Sequence, residues 1–168
     1  RYGTQGKNKL EYCHPFINRD TIPARNLAMA GNFNIVNAEE LFALVGKEPS
    51  ATTRFSDLAA MIELMHTFLC KEDEASPEHM DIKKVLKKTL PLLDGGFHVG
   101  GVTGNGIGFV FRDAHGIRPS YYYINEEVVV AASERAAIRT TFNVGENEVK
   151  ELMPGQALIV NEKGEIEI

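Results

Sequence analysis

The sequence predicts an α+β fold. Two observations carry this. Helical periodicity fills the region between an early strand and residue 90, and from Asp94 onward the apolar spacing shortens to that of strands joined by hairpin turns. No regular strand–helix alternation runs through the chain, so antiparallel pairing is expected rather than a doubly wound parallel sheet. At 168 residues and 18.6 kDa, with 43% hydrophobic and 24% charged residues, the chain suffices for one ordinary globular core without disulfide or metal staples.

The opening stretch, Arg1 to Arg25, is rich in Gly, Asn and Pro and reads as a strand end followed by a long loop. Leu27 to Ala30 is a short buried strand, and Gly31-Asn32-Phe33-Asn34 reads as a turn with exposed amides. Asn37 and Glu40 have capping-box spacing at the start of a helix that turns Leu41, Phe42 and Val45 inward and stops at Gly46. A second helix starts at Ser56-Asp57, with Leu58, Met61, Ile62, Met65 and Leu69 on one apolar stripe. Lys71 to Glu74 reads as a solvated surface turn. A third helix runs from Asp81 to Leu90 and ends at Pro91. Phe97–Thr103 and Ile107–Arg112 form a hairpin about Gly104-Asn105-Gly106. Asp113 to Gly116 is a turn. Tyr121–Ile124 and Val128–Ala132 are strands, Ser133 caps a helix through Arg139, and Pro154-Gly155 leads into a strand over Ala157–Asn161 and a last hairpin at Glu162 to Gly164.

Net charge is −5 and the pI about 5.6, opposite to the balance of a sequence-independent nucleic-acid binder, so no nucleic-acid partner is expected. No apolar run is long enough to span a bilayer, and no membrane partner is expected. Cys13 and Cys70 are too few for a disulfide scaffold and too far apart for a metal knuckle, which favours a reducing, cytoplasmic compartment. Cys70 reads as a small packed hydrophobe on its helix. His14, His66, His79, His98 and His115 show no metal-ligand spacing, so no metal site is expected. There is no phosphate-binding glycine loop before a helix.

Four segments stand out when taken together. Arg1-Tyr2-Gly3-Thr4-Gln5-Gly6 places a guanidinium and a hydroxyl beside flexible backbone. Ala30-Gly31-Asn32 offers backbone amides. Ser56-Asp57 sets a carboxylate at a helix start, and Arg112-Asp113-Ala114-His115-Gly116-Ile117-Arg118-Pro119 packs charges around a turn. Each alone has a bland explanation; Asp57, for instance, serves equally as a helix cap worth about 1 kcal/mol.

In this order, and with Ala131-Ala132-Ser133-Glu134 and Pro154-Gly155 following, the segments resemble the glutaminase domain of the amidophosphoribosyltransferases over the whole chain. The Gly-Ile-Arg-Pro octet is the most specific part of the match. The resemblance implies the N-terminal nucleophile hydrolase architecture: a four-layer sandwich of antiparallel sheets between helices, here a partial domain over 1–168 that lacks its N-terminal strand. It implies that an N-terminal cysteine, activated by its own α-amino group (pKa about 7.7–8.0), attacks the side-chain amide of glutamine. Ammonia leaves, and a transferase domain absent from this chain uses it on phosphoribosyl pyrophosphate in purine biosynthesis. It implies no cofactor in this chain, magnesium with the transferase domain, and a homo-oligomer for the full-length enzyme.

By resemblance, Arg1 pairs with the α-carboxylate of glutamine and Thr4 lies near it. Asp57 receives the α-ammonium, the Gly31 N–H enters the oxyanion hole, and Asn32 belongs to the same substrate-binding segment. Arg1 and Asp57 are accordingly expected on one side of the sheet. The chain departs from the family in two ways. Its nucleophile is expected upstream of Arg1, since Cys13 is internal, so the chain alone is expected to show no glutaminase turnover. Ala30 replaces the family's oxyanion asparagine, and Asn32 or Asn34 is the nearest substitute. Two alternatives therefore stay open: a non-catalytic or ammonia-dependent paralogue that binds an amino acid or supports a partner domain, and a generic α+β interaction module. The octet is expected to be structural, bracing the side toward the transferase domain.

Overall fold

The computed structural model describes residues 13–48, 56–75 and 80–168. Strands β1 (Phe16–Asn18), β2 (Leu27–Ile35), β3 (Gly95–Thr103), β4 (Gly108–Arg112), β8 (Ala157–Val160) and β9 (Ile166–Glu167) form one antiparallel sheet in the order β1-β2-β3-β4-β8-β9. A smaller sheet has the order β6-β5-β7, from β5 (Tyr121–Ile124), β6 (Val129–Ala132) and β7 (Lys150–Glu151).

Register sorts the large sheet into two faces. Met29 opposes Gly101, Gly31 opposes Val99, and Phe33 opposes Phe97. Val99 in turn opposes Phe111, which opposes Ala157. This face meets helices α1 (Ala38–Leu44), α2 (Asp57–Ala75) and α3 (Ile82–Thr89), and together they form the main core. Alternate residues (Ala30, Asn32, Asn34, His98, Gly100, Val110, Arg112) lie on the other face. There a cleft of about 240 Å³ separates Gly100, Val110 and Leu158 from Val129 and Ala131 of the small sheet. Helix α4 (Arg135–Phe142) packs on β5 and β6 and buries Ile138. The layers are thus helices, sheet, sheet, helix, as the resemblance implied.

Several local expectations are corrected. Gly31 to Asn34 is no turn; it is the second half of β2, because β3 pairs with the strand all the way to Ile35. Within the opening segment, residues 16–18 pair with β2 as β1, and Pro23–Arg25 forms a 3₁₀ turn. Asn37 precedes α1 but makes no capping hydrogen bond. Its amide donates to the Leu92 carbonyl at 2.8 Å and accepts from the Asp94 N–H at 3.2 Å, tying the start of α1 to the entry of β3. Lys71 to Glu74 is the last part of α2, with Glu72 and Asp73 buried. Glu134, and not Ser133, stands at the cap of α4, without a side-chain hydrogen bond. Among the described residues no helix is long and apolar enough to cross a membrane.

Candidate functional site

Strand parity decides where the Gly31 amide points. The Val36 N–H donates to the Asp94 carbonyl at 2.9 Å and the Gly104 N–H to the Asn26 carbonyl at 2.8 Å. In the β2–β3 register these pairs mark the even-numbered residues of β2 as hydrogen-bonded to β3. Gly31, Phe33 and Ile35 are odd, so their N–H groups are directed away from β3, toward the β1 side. The β1–β2 pairing ends at Phe16 opposite Met29, one pleat short of Gly31. Glycine is required here on packing grounds too: a Cβ would strike the His98 carbonyl oxygen and lie 2.9 Å from the Val99 Cα.

Asp57 comes to the same edge. Its Oδ2 accepts the Ile35 N–H at 3.0 Å, joining the first residue of α2 to the last of β2. The helix cap itself is Ser56, whose Oγ accepts the Ala59 N–H at 3.3 Å. Asp57 is therefore more than a cap. Burial pushes its carboxyl above the ordinary range, and the Ile35 and Asp57 N–H groups pull only partly against that. Gly31 and Ile35 are four residues apart, about 13 Å along a strand. Two of the predicted residues, Gly31 and Asp57, thus share one strand edge. Arg1 and Thr4 lie outside the described residues, as does the Arg1 half of the expected Arg1–Asp57 pairing.

Ala30, Asn32 and Asn34 share the opposite side-chain face of β2, with both asparagines exposed. Asn32 lies directly across from His98. His98 Nδ1 and the buried Ser120 hydroxyl are 2.8 Å apart. Burial, helped by the Arg112 guanidinium, pushes the imidazole below its usual range, so His98 is neutral near pH 7. No local pattern announces this pair, because Ser120, just ahead of β5, lies 22 residues from His98 in sequence and meets it only across the two sheets.

The octet is built as structure. Arg112 is buried. Its Nε donates to the Arg118 carbonyl at 2.6 Å, Nη2 to the Gly116 carbonyl at 3.0 Å, and Nη1 to Leu152 O and Glu151 Oε1, both at 2.7 Å. It links the large sheet to β7 of the small one.

The layering defines the class: the fold is that of the N-terminal nucleophile amidotransferases. Among curated sequences the chain is similar to amidophosphoribosyltransferases. It is 28% identical to that of Archaeoglobus fulgidus over 167 residues, and 28% identical to that of Bacillus subtilis over 164. These matches take in 99% and 98% of this chain, yet 34% and 32% of the relatives, so the chain spans about a third of their length. Among solved structures, the glutamine phosphoribosylpyrophosphate amidotransferase of B. subtilis with ADP and GMP matches at TM-score 0.67 and 26% identity, covering 99% of this chain and 33% of that one. A second structure, described as the allosteric regulatory enzyme of purine biosynthesis, matches at TM-score 0.74 and 27% identity with the same coverage. A predicted glutamine amidotransferase of Pseudomonas aeruginosa shares the fold at 15% identity and TM-score 0.56, over 94% of this chain and 65% of its own. No protein-family profile matches the chain.

Proposed function

We propose that the protein is the glutaminase part of an amidophosphoribosyltransferase. It hydrolyses the side-chain amide of glutamine, and the ammonia attacks phosphoribosyl pyrophosphate, which, with its magnesium ion, belongs to a transferase region of such a protein. The observation that carries this reading is the shared edge of β2. Glutamine spans about 6 Å from amide oxygen to α-ammonium when extended. With a hydrogen bond of about 2.9 Å at each end, it bridges a gap close to the roughly 13 Å between the Gly31 and Ile35 amides, where Asp57 waits. Gly31 then donates to the amide oxygen and Asp57 receives the ammonium. Arg1, with Thr4 beside it, takes the α-carboxylate.

The reaction follows from those placements. A thiolate from an N-terminal cysteine upstream of Arg1 adds to the amide carbon, and the C=O electron pair moves to oxygen. The Gly31 N–H stabilises that oxyanion, ammonia leaves with the thiol proton that the cysteine's own α-amino group had taken up, and water hydrolyses the thioester to glutamate and restores the thiol. In the full-length protein, Asp57→Asn is expected to raise KM for glutamine at least tenfold and leave ammonia-dependent activity intact. An unchanged KM overturns the assignment of the edge to glutamine.

Ala30 favours a second reading, an amino-acid-binding paralogue without turnover, because alanine supplies no side-chain donor to an oxyanion. Calorimetric glutamine binding by a full-length protein that releases no glutamate would select it.

A further inference from the structure

A second cluster of chemically active side chains lies on α2, away from Asp57. His66 and Cys70 are four residues apart, so the helix sets them on one face a turn apart. Asp20 joins them from the loop after β1. All three are half-buried, and their ligand-type atoms lie within 4.8 Å of one another. Cys70 Sγ is 3.7 Å from His66 Nε2, and Asp20 Oδ2 is 3.6 Å from the same nitrogen.

Those separations are informative. A nitrogen–oxygen distance of 3.6 Å is too long for a hydrogen bond. A zinc ion holds nitrogen at about 2.0–2.1 Å, oxygen at about 2.0–2.2 Å and sulfur at about 2.3 Å. At tetrahedral angles this puts N and O about 3.4 Å apart and N and S about 3.6 Å apart. Asp20 Oδ2 and Cys70 Sγ stand at nearly those distances from Nε2, but Sγ also lies 3.8 Å from Nδ1, beside the ring, so a metal on Nε2 requires the Cys70 side chain or the imidazole to turn.

The surroundings hold Asp20 in place. Asp20 Oδ1 is occupied by the Ile22 N–H at 2.9 Å and the Thr21 hydroxyl at 3.3 Å, which leaves Oδ2 turned to His66. The Asp20 N–H donates to Asn26 Oδ1 at 3.0 Å and holds the loop from its other side. Among the described residues, the nearby cations are both engaged: Arg25 by Asp73 at 2.7 Å and by Glu74 at 3.7 Å, and Lys47 by Glu63.

We propose that Asp20, His66 and Cys70 are three ligands of a zinc site whose fourth position is open to water or another ligand. Imidazole and thiolate suit zinc and exclude magnesium or calcium, which take oxygen ligands in greater number. On binding, the Cys70 thiol proton passes to solvent and its sulfur lone pair forms the bond to the metal. Carboxylate and thiolate then balance the two positive charges. The site clips the loop after β1 to the middle of α2, and it is independent of the glutaminase reading.

Cobalt(II) serves as the spectroscopic probe. Titrated into metal-free protein, one equivalent is expected to give a thiolate-to-cobalt charge-transfer band with tetrahedral d–d bands, and one equivalent of zinc to displace it. Cys70→Ser is expected to abolish the charge-transfer band and weaken zinc by more than the roughly 10–100-fold that loss of an outer-shell contact costs. Cys13→Ser is expected to keep the band. Asp20→Asn preserves the Oδ1 contacts and hence the loop, so it reports on the site even if a helix variant fails to fold. It should retain the band and bind zinc at least tenfold more weakly. Absence of the band at stoichiometric cobalt, its survival in Cys70→Ser, or unchanged zinc affinity in Asp20→Asn would overturn the site.

Discussion

Asp113 is fully buried, and the N–H groups of Phe97, His115, Ile117 and Arg118 all donate to its two oxygens, at 2.8–3.2 Å. Burial pushes its carboxyl up, but the four donors outweigh burial and hold it below the ordinary range. A depressed value contributes stability that is fully present above the unfolded pKa of about 3.9 and is lost as pH falls through the lower folded value. Asp113→Asn is therefore expected to cost about 2–3 kcal/mol at pH 7, a deficit that shrinks once the pH drops below about 3.9. Urea unfolding across that range measures it. At Ala30 the question is kinetic. An asparagine restored there supplies a donor worth roughly 3–4 kcal/mol to the oxyanion and much less to bound amide. Ala30→Asn in the full-length protein should raise kcat for glutamine with KM nearly unchanged. Melting temperatures reveal whether the half-buried position is overpacked, at about 1–3 kcal/mol. An unchanged kcat in a folded variant would mean that Asn32 or Asn34, on the same face, already fills the role.

Helix α2 shows which parts of an element a sequence discloses. Its stripe of Leu58, Met61, Ile62, Met65 and Leu69 was readable, and all five are buried. Ala59, Ala60 and Leu64 are buried as well, because α1 and α3 flank the helix while the sheet lies beneath it. Its charged end was not readable. Lys71 to Glu74 continues as helix because partners distant in sequence accept the charges: Arg25 for Asp73, and Lys84 and Lys88 for Glu72 at 3.0 and 3.6 Å. The Glu72 side chain is only 4% exposed, whereas its lysines are about half exposed. Removing both cations by Lys84→Met and Lys88→Met strands a buried carboxylate. The expected loss is about 1–3 kcal/mol, below the cost for a wholly buried pair because the lysines are solvated. Adding Glu72→Gln should recover part of it, read as a rise in the chemical-denaturation midpoint. The Asp20–His66–Cys70 cluster was not read from the sequence either: Cys70 reads there as a packed hydrophobe and the histidines show no metal spacing, and Asp20 arrives only through the pairing of β1 with β2.

At the scale of the molecule, Arg112 holds the two sheets in one body. The sequence marked the octet as structural, and the turn at Asp113 to Gly116 is where it was expected. It did not disclose that the arginine is buried or that its reach extends to Glu151 and Leu152, some forty residues on. Arg112→Met keeps the length of the side chain and removes every donor. It leaves the Gly116, Arg118 and Leu152 carbonyls without this partner, and about 3 kcal/mol or more is expected to be lost. The loss should be uneven: amide hydrogens of β5 and β6 exchange faster, while those of β2 and β3 keep most of their protection.

The Asp57–Ile35 contact has a consequence for colloidal behaviour. Among the described residues, no strand pairs with β2 on the β1 side past Met29, and the odd residues beyond it direct their amides to that flank, the kind of ledge on which a second chain can nucleate pairing. A carboxylate seated on the Ile35 amide closes that row at one end and brings a negative charge to it. Asp57→Ala would free the amide and remove the charge together. Light scattering of concentrated samples should then show faster self-association for Asp57→Ala than for Asp57→Asn, whose side-chain oxygen keeps the amide occupied.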